Sequence, residues 1–196
     1  REFKKAEDEG KEELQDFTAK HLNVQIGISL RANRWAAAEF WEAAKAPKPF
    51  TLDELIEASE VITVGIDGGG LDDLLGFAAI GRLPTVLREY TDNITNQKVQ
   101  VKPWWVWTRA WCHTIALERR MSIAPTLKGF EKDGDLIIVK NIGDESEQVA
   151  QLCKQIHDSG KLDSIGLDPL GIGTLIEELT AVEIPEDKLI GVSQGF

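Results

Sequence analysis

The residues of this chain best suited to chemistry are carboxylates set beside glycines. In VGIDGGGLDD an apolar, β-branched run ends in Asp67, three glycines follow, and Asp72 and Asp73 come next. In DSIGLDPLGIG a second such run ends in Asp168 before a glycine-containing turn. Carboxylates at the ends of neighbouring strands offer the oxygen donors that Mg2+ or Mn2+ prefer, with water and phosphate filling the remaining positions. Two such ions ~3.5–4 Å apart can clamp the attacking and leaving oxygens of a phosphodiester. The same residues also suit ordinary turns, because Asp before Gly or Pro commonly starts one. Spacing alone does not make the two runs neighbours.

Other chemistries find no support. No GxxxxGK[ST] loop is present, and Asp73 stands where the last glycine of a GxGxxG counted from Gly68 would fall. His21, His113 and His157 form neither HExxH nor HxH, and no GxSxG occurs. Cys112 and His113 are adjacent, but neighbours on a strand point to opposite faces, so the pair reads as incidental. Cys112 and Cys153 form no CxxC, which excludes a multi-cysteine zinc site and a disulfide scaffold and fits a reducing compartment. Six tryptophans, four of them within 104–111, read as core or interface anchors rather than base-stacking platforms.

The elements that must position the aspartates follow from patterning. The chain has 196 residues, 42% hydrophobic and 28% charged, the composition of a globular protein able to bury a core without disulfides. Residues 2–20 read as a helix carrying Phe3, Ala6, Leu14 and Phe17 on one face, and a short helix around Trp35, Phe40 and Trp41 ends at APKPF. Thr51 and Glu54 form a capping box for a helix over LDELIEAS. This predicts a helical arm over 1–58 and a second domain over 59–196. There VITVGID and GFAAIGR (76–82) predict an antiparallel hairpin, and KVQVKPWWVWTRAW (98–111) a third strand interrupted at Pro103. A helical stretch with a break at Pro125 comes next. LIIVK, ESEQVAQLCKQIHDSG, DSIGLD, PLGIGTLIEELTAV and KLIGV then alternate strand and helix. The order predicts an α/β fold, a mixed sheet with helices on its faces. No apolar run approaches the ~20 residues of a membrane span. The opening REFKKAEDEG has no apolar stretch of a signal peptide, so a cytoplasmic location is expected.

Taken in order, these segments resemble a known family. VITVGIDGGGLDDLLGFAAIGR, the Trp-rich strand ending in WTRAW, ALERR, DSIGLDPLGIG and GVSQGF are together similar to the C-terminal nuclease region of the large terminase subunit of tailed bacteriophages and prophages. FTAKHLN and RANRWAAAEFWEAA look like the connector to the ATPase half of that family. The resemblance implies a ribonuclease H-like fold and a metal-dependent endonuclease that cuts concatemeric viral DNA in the host cytoplasm. It implies Asp67 as the first catalytic aspartate, Asp168 as the second, Asp73 as a further carboxylate, and Asp72 as a weaker metal ligand. Two ions, Mg2+ or Mn2+, are implied, with Asp67 bridging them. Implied partners are double-stranded viral DNA, the ATPase half of the same polypeptide, the portal and the small terminase subunit. The family takes a third core aspartate from beyond the SQGF strand, which leads us to expect a longer natural chain. Neither Asp163, at a strand start, nor Asp135, in a DGD turn, reads as its substitute.

Two rival functions share parts of this pattern. A strand followed by DGGG also resembles the phosphate-binding loop of sugar kinases and actin-like ATPases, and the Trp-rich stretch could instead serve a non-catalytic docking module. Charge bears on the DNA reading. The net charge is −11, yet 82–132 holds nine basic residues against four acids. Among them Arg82, Arg88, Arg109, Arg119, Arg120 and Lys128 are candidate phosphate contacts. A local basic surface on an acidic chain predicts weak DNA binding. Filter binding at ~50 and ~200 mM salt is expected to show affinity falling by a hundredfold or more; affinity indifferent to salt would contradict the assignment.

Overall fold

The structure, a computed structural model, describes residues 2–22, 40–41, 43–71, 73–92, 94–168 and 173–192. The chain forms two compact units, 1–49 and 50–196. In the first, α1 (Glu2–Glu9) and α2 (Lys11–Leu22) replace the single helix expected over 2–20. Gly10, at φ +120°, interrupts it with a conformation that an L side chain rarely adopts. Phe3 meets Phe17 edge-on at 5.7 Å between ring centroids. Most of the short helix expected around Trp35 lies outside the described residues.

The second unit begins with a helix that sequence had placed in the arm. Helix α3 (Leu52–Ala58) starts at the expected capping box: the Thr51 N–H donates to Glu54 Oε2 at 2.7 Å and the Glu54 N–H to Thr51 Oγ1 at 3.2 Å. Lys161 Nζ donates to the carbonyls of Ile56 (2.6 Å) and Glu57 (3.0 Å), satisfying acceptors that a helix end leaves open. Leu52 and Leu55 are buried in the core of the sheet unit, and Phe50 stacks on Trp105 at 4.8 Å. The boundary therefore falls before Phe50, not after residue 58, because the apolar stripe of α3 is buried on the sheet.

Strands β1 (Val61–Gly68) and β2 (Leu75–Arg82) form the predicted hairpin. Between β2 and the next strand of the main sheet comes a separate two-stranded sheet, β3 (Arg88–Thr91) with β4 (Lys98–Val101). Strand β5 (Trp104–His113) returns antiparallel to β2, so Pro103 separates two strands rather than interrupting one. Helices α4 (Thr114–Arg119) and α5 (Ala124–Asp133) follow. The break expected at Pro125 lies just before it, since Pro125 opens α5, where its missing N–H costs nothing. Then come β6 (Leu136–Val139), α6 (Asp144–Asp158), β7 (Leu162–Leu167), α7 (Gly173–Ala181) and β8 (Leu189–Gly191).

The main sheet has the order β6-β5-β2-β1-β7-β8. β2 runs antiparallel to both of its neighbours, β1 and β5, while β7 lies parallel to β1, β8 to β7 and β6 to β5. This is the α/β mixed sheet with helices on its faces that the sequence predicts. Alternation divides the sheet into two faces. Ile62, Val64, Ile66, Phe77, Ala79, Trp111, Ile165 and Leu167 point to one, where α3, α6 and α7 cover them with Leu55, Val149, Cys153, Ile156 and Leu179. Residues between them in sequence point to the other face. Leu55 is completely buried, so Leu55→Ala is expected to destabilise the sheet unit by ~2–5 kcal/mol. Urea denaturation checks this; a loss below ~1 kcal/mol would return α3 to the arm.

Candidate functional site

Asp67 and Asp168 become neighbours through strand direction. β1 and β7 run parallel with Ile66 opposite Leu167, and each aspartate is the next residue along its strand. Parallel strands end on the same side of a sheet, so both carboxylates emerge together. They line one cleft of about 610 Å³. Its floor is made of short side chains: Gly65, Gly76, Ala78, Thr108, Ala110 and Gly166. Register explains this, since Asp67 pairs with Gly76 and Gly76 with Ala110, while Gly65 pairs with Ala78 and Ala78 with Thr108. A Cβ at Gly65 would meet nothing within 4 Å, so the floor is open above that residue.

The glycines after Asp67 turn the chain back. Gly68 has φ +79°, and the Gly69 N–H donates to the Leu74 carbonyl at 3.1 Å, closing the hairpin. A Cβ at Gly68 would collide with that same carbonyl. Asp73, expected as a further ligand, is exposed and accepts the Leu74 N–H on Oδ1 at 2.9 Å. It holds the start of the returning strand and does not line the cleft. Asp72 lies outside the described residues. Asp135, passed over in the sequence, does line the cleft. It immediately precedes Leu136, which pairs with Ala110 in the row that also holds Gly76 and Asp67. A DG turn before an apolar run was its only signal, and that signal says nothing of pairing. Among the described residues, no three His, Cys, Asp or Glu side chains gather as a metal-holding group.

The candidate phosphate contacts separate into distinct places. Arg82 lies on the Asp67 face but opposite Val61, six residues or ~20 Å along β1. Its Nε contacts Glu60 Oε1 at 2.6 Å, and its guanidinium lies over Trp104 at 5.8 Å. Lys102 holds the same Glu60 carboxylate at 2.8 Å. Arg119, Arg120 and Lys128 are exposed on or beside α4 and α5. These helices pack through Ala116 and Leu127 on Cys112 and Leu136 at the β5–β6 end of the sheet. Arg88 is on the separate β3–β4 sheet, over Tyr90. Arg109 also borders the Asp67 cleft, but it pairs with Phe77, so alternation places its side chain on the α6 face, with its guanidinium 5.0 Å from the Trp107 ring.

No thiol nucleophile emerges. Burial pushes the Cys153 thiol up to about 12, and burial, with Glu131 adding to it, raises that of Cys112. His113 Nδ1 accepts the Ile115 N–H at 3.1 Å as the cap of α4, which leaves Nε2 to donate to the Lys140 carbonyl at 2.8 Å. The residue is structural.

No family model and no curated protein matches the chain. Among solved structures it is similar to the crystal structure of the HK97 bacteriophage large terminase, at 16% identity and a TM-score of 0.48. The likeness covers 93% of this chain and 40% of that one. The chain thus spans well under half the length of that protein. Among the described residues, no helix is long and apolar enough to cross a membrane.

The Glu60 cluster gives a pH signature. Hydrogen bonds from Lys102 and then Arg82 hold the Glu60 carboxyl below its ordinary 4.5. A lowered folded value means the pair stabilises the fold above the unfolded pKa and that this is lost as pH falls through the folded one. NMR titration is expected to place the Glu60 midpoint below 4.5 and to move it upward in Lys102→Met. A midpoint unmoved by that substitution would show that the Lys102 hydrogen bond does not hold the carboxyl down.

Proposed function

We propose that the sheet unit is the metal-dependent endonuclease domain of a phage DNA-packaging terminase, cutting double-stranded viral DNA. The observation that carries this reading is the convergence of Asp67 and Asp168, distant in sequence, at the ends of adjacent parallel strands above a floor of short side chains. The donor set fits a hard divalent cation: two carboxylates, with open space at Gly65 for water and phosphate oxygens. Asp67 and Asp168 would hold Mg2+ or Mn2+, which when bound supplies a water of lowered pKa and a counter-charge for the leaving 3′ oxygen.

The chain's own residues would do the rest. Gly65 and Gly76 raise no side chain, and Ala78 only a methyl, that would keep a phosphate backbone off the sheet, while at Gly166 Val192 covers the floor. Arg119, Arg120 and Lys128, on the helices at the β5–β6 end, would take backbone phosphates without reading sequence. Asp73 and Asp72 remain further ligands only by the family resemblance. Asp135, across β2 and β5 from Asp67, would face bound DNA rather than share a cation with it. The ATPase half, the portal and the small terminase subunit are proposed partners on the same resemblance, and the host cytoplasm the proposed location.

Supercoiled plasmid incubated with Mn2+ or Mg2+ tests the reading, in this chain and in the longer polypeptide that the resemblance implies. Nicking and linearisation are expected to fall at least ~100-fold in Asp67→Ala and in Asp168→Ala, with circular dichroism unchanged. Absence of cleavage in every form with either ion would overturn the nuclease. ATP binding in its place, read by calorimetry, would favour the actin-like alternative.

A further inference from the structure

A second cleft, of about 570 Å³, opens on the face of the sheet opposite Asp67. Its wall is Trp107 and Trp111, which alternation places on the α6 side. Facing them, α6 presents Asp144, Glu147, Gln148, Gln151 and Gln155, which recur at helical spacing as one stripe, while Val149, Ala150, Cys153 and Ile156 form its buried stripe. Trp111 is buried at 1% exposure and both indoles meet Phe77 edge-on, so of the two only the partly buried Trp107 offers apolar surface to the cleft. Part of the polar set is already committed. Trp111 Nε1 donates to Gln148 Oε1 at 2.9 Å, and Gln155 donates to Asp53.

Two features point to an occupant. The first is Arg109, stacked on Trp107, whose Nε is buried and has no hydrogen-bond partner. A buried donor left unpaired is costly, and an incoming acceptor would relieve that cost. The second is charge. Asp53, Asp144 and Glu147 line the same cleft against the one arginine, so its field is negative. That field disfavours a phosphate or carboxylate as the acceptor for Arg109 and favours a neutral carbonyl accompanied by cations.

We propose that this cleft docks a peptide segment of a partner protein in which an apolar side chain is flanked by lysine or arginine. The apolar side chain lies against Trp107, next to Gln148 that holds the Trp111 N–H, a peptide carbonyl accepts from Arg109 Nε–H, and the flanking cations meet Asp53 and Glu147. Because the cleft and the Asp67 cleft lie on opposite faces, both can be filled at once. The inference does not depend on the nuclease reading.

The test follows the indole N–H signals of Trp107 and Trp111 in 15N–1H spectra of the whole chain during titration with the blocked peptide acetyl-Lys-Arg-Leu-Phe-Arg-Lys-amide. Saturable shifts of both indoles are expected. A counterpart with Glu in place of every Lys and Arg is expected to bind at least tenfold more weakly. The rim variant Glu147→Lys/Gln151→Lys should weaken the basic peptide at least tenfold, with signals away from the cleft unmoved as evidence that the fold is intact. Indoles that do not shift saturably, an acidic peptide that binds equally well, or a rim variant that binds as tightly as the parent would each overturn the proposal.

Discussion

The pairing of β1 is the constraint on which the rest of the molecule depends. On one side it meets β2 antiparallel, on the other β7 parallel. Antiparallel neighbours can be joined by a tight turn, whereas parallel neighbours need a long crossover. The chain accordingly uses β2, β5, β6 and their helices before it returns to β1. The parallel return brings the end of β7 to the end of β1, and with it Asp168 to Asp67. Had β7 run the other way, its last residue would lie at the far end of β1, ~20 Å off at the rise of an extended chain, and the two carboxylates could not share a cleft.

The same strand assigns the two faces. Its even-numbered residues, Ile62, Val64 and Ile66, are large and buried, and α3, α6 and α7 close over them. Its odd-numbered residues include Gly65 and Asp67, and the strands beside it answer with Gly76, Ala78 and Gly166. Stability is thus concentrated on one side of the sheet. The other side fills only a small core, where α4 and α5 pack on Cys112 and Leu136, and around Asp67 it is free to be chemical.

Much of this was legible in the sequence. Apolar, largely β-branched runs beside glycine placed β1, β2, β6, β7 and β8, a capping box placed α3, and the run ending at Gly160 placed α6. The segments ending in Asp67 and Asp168 stood out because Asp and Gly follow apolar runs there. What was not legible was pairing. Arg109 sits in a basic stretch, and only the register of β5 on β2 reveals that its side chain belongs to the opposite face. Asp135 sits in a turn set aside in the sequence, and only the parallel pairing of β6 with β5, which puts Leu136 in the row of Asp67, brings it to the cleft. The β3 segment, REYT, has no buried face, so it carries none of the alternation by which a strand is recognised. For α3 the error was one of company: its helix is local, but the surface that receives its leucines comes from residues far along the chain.

The small β3–β4 sheet has a consequence of its own. It joins the main sheet where the Leu83 N–H donates to the Pro103 carbonyl at 3.0 Å, directly beyond the last pair of β2 and β5. Beyond that latch β3 is exposed throughout, and Ile94 at its tip is 95% exposed. The register of β2 on β5 is complete before the latch, so the excursion from 84 to 102 resembles an appendage clipped to a finished frame. Its length and sequence can drift between generations, as a handle is refitted without touching the blade, while the row that carries Asp67 stays in place.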